Sequence, residues 1–234
     1  MREPDVISAK TLGQLAMPDF CAKCFWVAMK SEQLPYQIFP GIFSTLDSYG
    51  KRLVNGWFER HGAVPEWLAR LGQIKRTVIP PHFKKFTVVD EATSIVLRGT
   101  PDAVFEMFDK SFTIIDYKTA KFTGHQDELF PMYEAQLNAY AHIGERTLFS
   151  PVSQLALVYT EPVTGEATDK DANVTSEGFR LDFSARILPV EVKPMLVPTL
   201  LQRAKKILES DRPPLGRADC GDCKALAELH NLLD

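Results

Sequence analysis

Residues 99–140 constrain this chain more than any other stretch: GTPDAVFEMFDKSFTIIDYKTAKFTGHQDELFPMYEAQLNAY. The apolar run Thr113-Ile114-Ile115 leads straight into Asp116-Tyr117-Lys118, which predicts a buried strand ending in charge. Strand side chains alternate between faces, so Asp116 and Lys118 point one way and Tyr117 the other. Ala103–Phe108 predicts the strand before it, and Asp109-Lys110-Ser111 supplies turn residues between the two. A three-residue turn there sets Asp102 opposite Lys118, on the face that carries Asp116. A two-residue turn would set it opposite Tyr117, on the wrong face. The odd-length turn is therefore expected.

A helix over Pro131–Ile143 places Tyr133, Gln136 and Tyr140 on one stripe, with Leu137 and Ala141 on a neighbouring stripe toward the sheet. Two carboxylates, a lysine and Gln-x-x-x-Tyr are the residue types that metal-assisted phosphodiester hydrolysis uses. Asp102 and Asp116 are expected to hold Mg2+ or Mn2+, hard ions that take oxygen ligands, with the Tyr117 carbonyl as a third protein ligand. Lys118 is expected to orient or deprotonate the attacking water. Gln136 and Tyr140 are expected to contact the scissile phosphate or brace Lys118. Singly, Asp102 reads as a turn residue after Pro101, Lys118 as a solvated strand end and Tyr140 as core. The ordered set carries the chemistry.

The four cysteines form two C-x-x-C pairs at opposite ends of the chain, Cys21/Cys24 and Cys220/Cys223. Paired knuckles of this kind clamp one metal centre, whereas disulfide frameworks scatter their cysteines. Four thiolates suit tetrahedral zinc or an iron–sulfur cluster, and spacing alone does not choose. With no signal peptide, a reducing cytoplasm is the expected compartment.

The segment from Gly99 to Tyr140 resembles the active-site core of the PD-(D/E)xK nuclease superfamily. Within it, the chain is similar to the RecB-like branch of CRISPR-associated and AddB-type nucleases. Cys21-Ala-Lys-Cys24-Phe25-Trp26 and the late helix followed by Pro213-Pro214 and the last cysteines resemble the way those relatives join their termini. The resemblance implies a restriction-endonuclease-like core, with a central mixed sheet of four or five strands flanked by helices. It implies a metal-dependent deoxyribonuclease, an exonuclease acting on single-stranded DNA or on ends. It also implies an iron–sulfur cluster on the cysteines, [4Fe–4S] rather than [2Fe–2S], with Zn2+ as the alternative. Its partners would be DNA and the proteins of a DNA repair, recombination or CRISPR complex. The chain departs from the pattern in three places. Asp116 stands where Glu is common, the cysteines divide two and two instead of one and three, and the helix Phe43–His61 lacks the expected metal-ligating histidine. A catalytically inactive nucleic-acid-binding module and a zinc-stapled interaction subunit are the alternative readings.

At 234 residues and 45% apolar content, the chain can bury one substantial core. One domain over 1–234 is expected. It would comprise a core of about 86–195, an N-terminal helical segment 20–75 and a C-terminal segment 196–234 joined to it at the cysteines. No apolar run approaches the ~20 residues of a membrane span. The net charge of −3 excludes global attraction to nucleic acid and leaves local clusters to make any phosphate contacts. Lys75-Arg76 and His82-Phe83-Lys84-Lys85-Phe86 mix cations with aromatics, which suits phosphate contact and stacking or the inward side of a strand. Arg203, Lys205 and Lys206 read as a solvated helix face. A helix from Cys24 to Met29 is broken by Pro35 and Pro40-Gly41. Helices then follow over Phe43–His61 and Val64–Leu71, with strands between 86 and 108. Gln154–Tyr159 returns parallel to the Asp116 strand through a right-handed crossover. Residues 160–178 read as a loop, Phe179–Val192 as one or two strands and Val197–Glu209 as a helix. The sum is an α/β fold, α+β in its mixed sheet.

Overall fold

Strands that are apolar on both faces must be covered on both, and that requirement organises the molecule. The computed structural model describes residues 5–31, 40–124, 127–165, 168 and 170–232. The chain begins with β1 (Val6–Ser8), α1 (Ala9–Gln14), α2 (Ala22–Lys30) and α3 (Gly41–His61). Then come β2 (Ile74–Val78), β3 (Thr87–Val89), β4 (Val96–Arg98), β5 (Ala103–Met107), β6 (Phe112–Thr119) and α4 (Phe130–Arg146). It finishes with β7 (Val152–Pro162), β8 (Val174–Thr175), β9 (Gly178–Phe179), β10 (Phe183–Val190), α5 (Leu196–Leu208) and α6 (Gly221–Asn231).

The central sheet is five-stranded and mixed, in the order β10-β7-β6-β5-β2. β6 and β7 run parallel, with α4 as the crossover and Asp116 level with Leu157. The other pairs are antiparallel. Val104, Ile114, Leu155, Leu157, Leu188 and Val190 bury one face against α4, α5 and α1. Phe105, Ile115, Ala156 and Val158 bury the other against Val54 of α3 and Leu68 and Leu71 of a 3-10 turn. A smaller sheet, β1-β4-β3, flanks the first core.

α4 is covered on every side from Ala135 to Gly144. Gly13 lets α1 reach it, because a Cβ there would stand 2.5 Å from the Met132 carbonyl oxygen. Asn138 is a buried amide with every group used. Its Nδ2 donates to the Glu134 and Glu191 carbonyls at 3.0 Å each, and its Oδ1 accepts from the Lys193 backbone N–H at 2.6 Å. The chain between β10 and α5 is thereby pinned to the crossover helix.

Several elements differ from expectation for local reasons. Val64–Leu71 forms only a 3-10 turn, Glu66–Leu71, bounded by Pro65 and by Gly72 at φ 100°. The strands expected between 86 and 108 divide, with β3 and β4 leaving for the second sheet. β7 extends to Pro162, and the polar stretch after it holds the short β8–β9 hairpin. Pro35 lies outside the described residues. No helix among the described residues is long and apolar enough to cross a membrane.

Candidate active site

The β5–β6 hairpin sets the site through its turn. Asp109 Oδ1 accepts from the Ser111 N–H at 2.9 Å and from its hydroxyl at 2.7 Å, and Lys110 takes φ 70°. These contacts close a three-residue turn over Phe108-Asp109-Lys110, with Met107 N–H donating to Ser111 O. The turn has the expected odd length but starts one residue earlier than predicted. The register runs Ala103 opposite Ile115, so Asp102 comes level with Asp116 and not with Lys118. The shift is two positions, which preserves the face.

Asp102 and Asp116 therefore sit side by side. Asp102 Oδ2 accepts from the Tyr117 backbone N–H at 2.8 Å, and its Oδ1 accepts from Lys51 Nζ at 2.7 Å. Asp116 is 3% exposed. Its Oδ1 accepts from Gln136 Nε2 at 3.3 Å, and its Oδ2 forms an ion pair with Lys118. That pairing lies outside hydrogen-bond geometry, so Asp116 Oδ2 is a buried oxygen with no hydrogen-bond partner. Burial, and next the like charge of Asp102, push the Asp116 carboxyl up to about 7 against the pull of Lys118.

Gln136 Nε2 also donates to Tyr140 Oη at 2.8 Å, so this pair from α4 braces Asp116 and not Lys118. Lys118 instead stands 3.9 Å from the centroid of the Tyr133 ring. Gly99 is required for close approach, since a Cβ there would lie 2.5 Å from Tyr140 Cε1. The Tyr117 ring turns to the opposite face, and its hydroxyl is buried without a hydrogen-bond partner.

This donor set fits a divalent metal. Two adjacent carboxylates, one with an oxygen that accepts no hydrogen bond, present hard oxygen ligands. Sequence reading missed Asp47 and Lys51. Lys51 Nζ lies 2.7 Å from both Asp47 Oδ2 and Asp102 Oδ1. The i,i+4 pair within α3 is legible in sequence, but its contact with Asp102 is not.

All four expected thiols meet at a second place. Cys21 is the N-cap of α2 and Cys220 the N-cap of α6, with Cys24 and Cys223 in the first turns. Cys21–Cys223, Cys24–Cys220 and Cys24–Cys223 are 3.5, 3.5 and 3.4 Å apart at Sγ, and all four sulfurs lie within 4.8 Å of one another. All four are free thiols. Burial opposes ionisation of Cys21, but the Arg217 and Cys24 backbone N–H groups bring it down to about 6. Burial and the neighbouring sulfurs push Cys24 up. Four soft sulfur ligands so close together fit a metal with no open coordination position.

The basic clusters are less available than their composition suggests. Lys75 and Arg76 both pair with Glu106 across the β2–β5 edge, at 2.6 and 2.5 Å. Phe86 is buried in the core, and Arg98 covers Phe83. Arg203 is a structural link, donating to the Leu15 carbonyl at 2.6 Å.

A family model described as the PD-(D/E)XK nuclease superfamily matches residues 15–227. No curated protein matches the chain. Among the solved structures that match is the crystal structure of SSO0001, 11% identical, with a TM-score of 0.42, covering 92% of this chain and 81% of that one.

The metal-free site should be strained by its own charge. A carboxyl whose folded pKa lies above its unfolded value contributes stability that is present at low pH and lost as pH rises through the folded value. In chelator at pH 8, Asp116→Asn is therefore expected to raise Tm by roughly 2–4 °C, for a gain on the order of 1 kcal/mol. The advantage should vanish near pH 4. Thermal melts at the two pH values check this.

Proposed function

We propose that this chain, which belongs to the PD-(D/E)XK nuclease superfamily, is a metal-dependent nuclease that hydrolyses DNA phosphodiester bonds, acting as an exonuclease on single strands or ends. The observation that carries the reading is the level pairing of Asp102 and Asp116, with Asp116 Oδ2 free of hydrogen bonds and ion-paired to Lys118. Asp102 and Asp116, with the Tyr117 carbonyl, would hold Mg2+ or Mn2+. Such an ion supplies Lewis-acid charge at the scissile phosphate. Lys118 would orient the attacking water and balance charge on the phosphate. Gln136 and Tyr140 hold the Asp116 carboxylate in place for this work.

Support for a single-stranded substrate comes from the far side of β6. A cavity of about 290 Å³ is lined there by Asp47, Tyr49, Trp67, Tyr117 and Phe183. Its aromatic walls suit an unpaired base, and Asp47 and Tyr117 connect it to the carboxylates. The joining of the two chain ends by the cysteines supports the RecB-like branch.

The sulfur spacing favours one zinc ion over the iron–sulfur cluster that the resemblance implies. Bonds of ~2.3 Å at tetrahedral angles set sulfurs about 3.8 Å apart. A cluster spreads its thiolates over two or four irons and so across its inorganic core. Sulfurs within 4.8 Å of one another match the single ion. Its role would be to staple α2 to α6, in a reducing cytoplasm that keeps the thiols free.

End-labelled single- and double-stranded DNA, incubated with protein and Mg2+ or Mn2+, tests the activity. Cutting is expected with metal and absent in chelator, and Lys118→Ala should lower it by about 10²–10⁴-fold without loss of fold. A folded wild type that cuts nothing in either metal would move the reading to a binding module. Metal analysis of anaerobically purified protein tests the cysteines. One zinc per chain in a colourless sample is expected, and iron with acid-labile sulfide would contradict it.

A further inference from the structure

α3 closes one side of the carboxylate pair, and it sets a cation against Asp102. Lys51 reaches both Asp102 Oδ1 and Asp47 Oδ2 at 2.7 Å, with its side chain 29% exposed. The immediate charge count is three carboxylates (Asp47, Asp102, Asp116) against two ammoniums (Lys51, Lys118), a net of −1. That remainder suits one divalent ion arriving with a phosphate. Removal of Lys51 would leave −2 and free both the Asp47 carboxylate and Asp102 Oδ1.

Two-ion phosphodiester hydrolases hold their metals about 3.5–4 Å apart, on carboxylates that can serve both. Here Asp102 already accepts the Tyr117 N–H on one oxygen and Lys51 on the other. Asp116 Oδ2 accepts no hydrogen bond and is held only by its ion pair with Lys118. Both Asp102 oxygens are thus engaged, one of them by the Lys51 ammonium, whereas Asp116 keeps one oxygen that accepts no hydrogen bond.

We propose that Lys51 is a built-in cation standing where a second divalent ion would otherwise bind, which makes this a one-ion site. The inference rests on the nuclease reading above. Lys51 acts through Asp102 and Asp47 and is a positioning residue. A salt bridge that merely fastened α3 to the sheet would have no bearing on how many ions bind.

Mn2+ binding to the full chain without DNA, followed by loss of the free-ion electron paramagnetic resonance signal, separates these roles. Wild type is expected to take up one Mn2+ per chain, and Asp116→Ala none. Lys51→Met should take up two, Lys51→Arg one, and Lys51→Met combined with Asp47→Asn one again. Thermal melts establish that each variant is folded, and the charge-retaining arginine serves as the control. Two ions in wild type, or one ion in Lys51→Met, would overturn the proposal while leaving the nuclease reading intact. Absence of any Mn2+ binding to wild type would overturn both.

Discussion

The like-charged pair of Asp102 and Asp116 is the constraint on which this molecule turns. Their adjacency follows from a local cause, the Asp109–Ser111 turn that sets the hairpin register. Once the two are level at the end of a buried strand, several neighbours act to offset them. Lys118 and Lys51 bring positive charge, and Gln136 and the Tyr117 N–H bring donors. The balance is incomplete, and Asp116 Oδ2 remains without a hydrogen bond. A protein built only for stability would not bury such a pair, since an apolar pair of similar size would be more stable.

The scaffold tolerates that strain because the elements bearing the site are held on all sides. β6 lies between β5 and β7, and α4 is enclosed by the sheet, α1 and α5. Asn138 then ties α4 to the segment entering α5, so the helix carrying Gln136 and Tyr140 has little freedom to move. The cysteine centre closes the outer shell at a different scale. It brings together residues about 200 positions apart in the chain, Cys21 to Cys223, at the N-termini of two helices. Cys21 Sγ also accepts a backbone N–H from Arg217 at 3.4 Å.

Much of this was legible in the sequence because it is local. The alternation through Asp116-Tyr117-Lys118 fixes faces, and the i, i+3, i+7 spacing of Tyr133, Gln136 and Tyr140 fixes a stripe. The register was misread by two residues because the Asx-type bond from Asp109 and the left-handed Lys110 move the turn, and neither is a periodic signal. Face was preserved because side-chain parity is insensitive to a shift of two. Lys51 was illegible because its contact with Asp102 spans 51 residues and depends on how α3 lies on the sheet. The short β1, α1 and β2 carried too few residues for a pattern to emerge. Lys75 and Arg76 looked free because Glu106 sits on another strand. The two C-x-x-C pairs pointed to a four-sulfur group able to hold a metal, and the fold brings all four sulfurs within 4.8 Å of one another.

The most direct test of the central claim is anomalous diffraction from crystals of the protein grown with Mn2+. The account predicts one anomalous peak within bonding distance of Asp102 and Asp116, with Lys51 still against Asp102. Crystals saturated with Mn2+ that show no peak at this pair would contradict it.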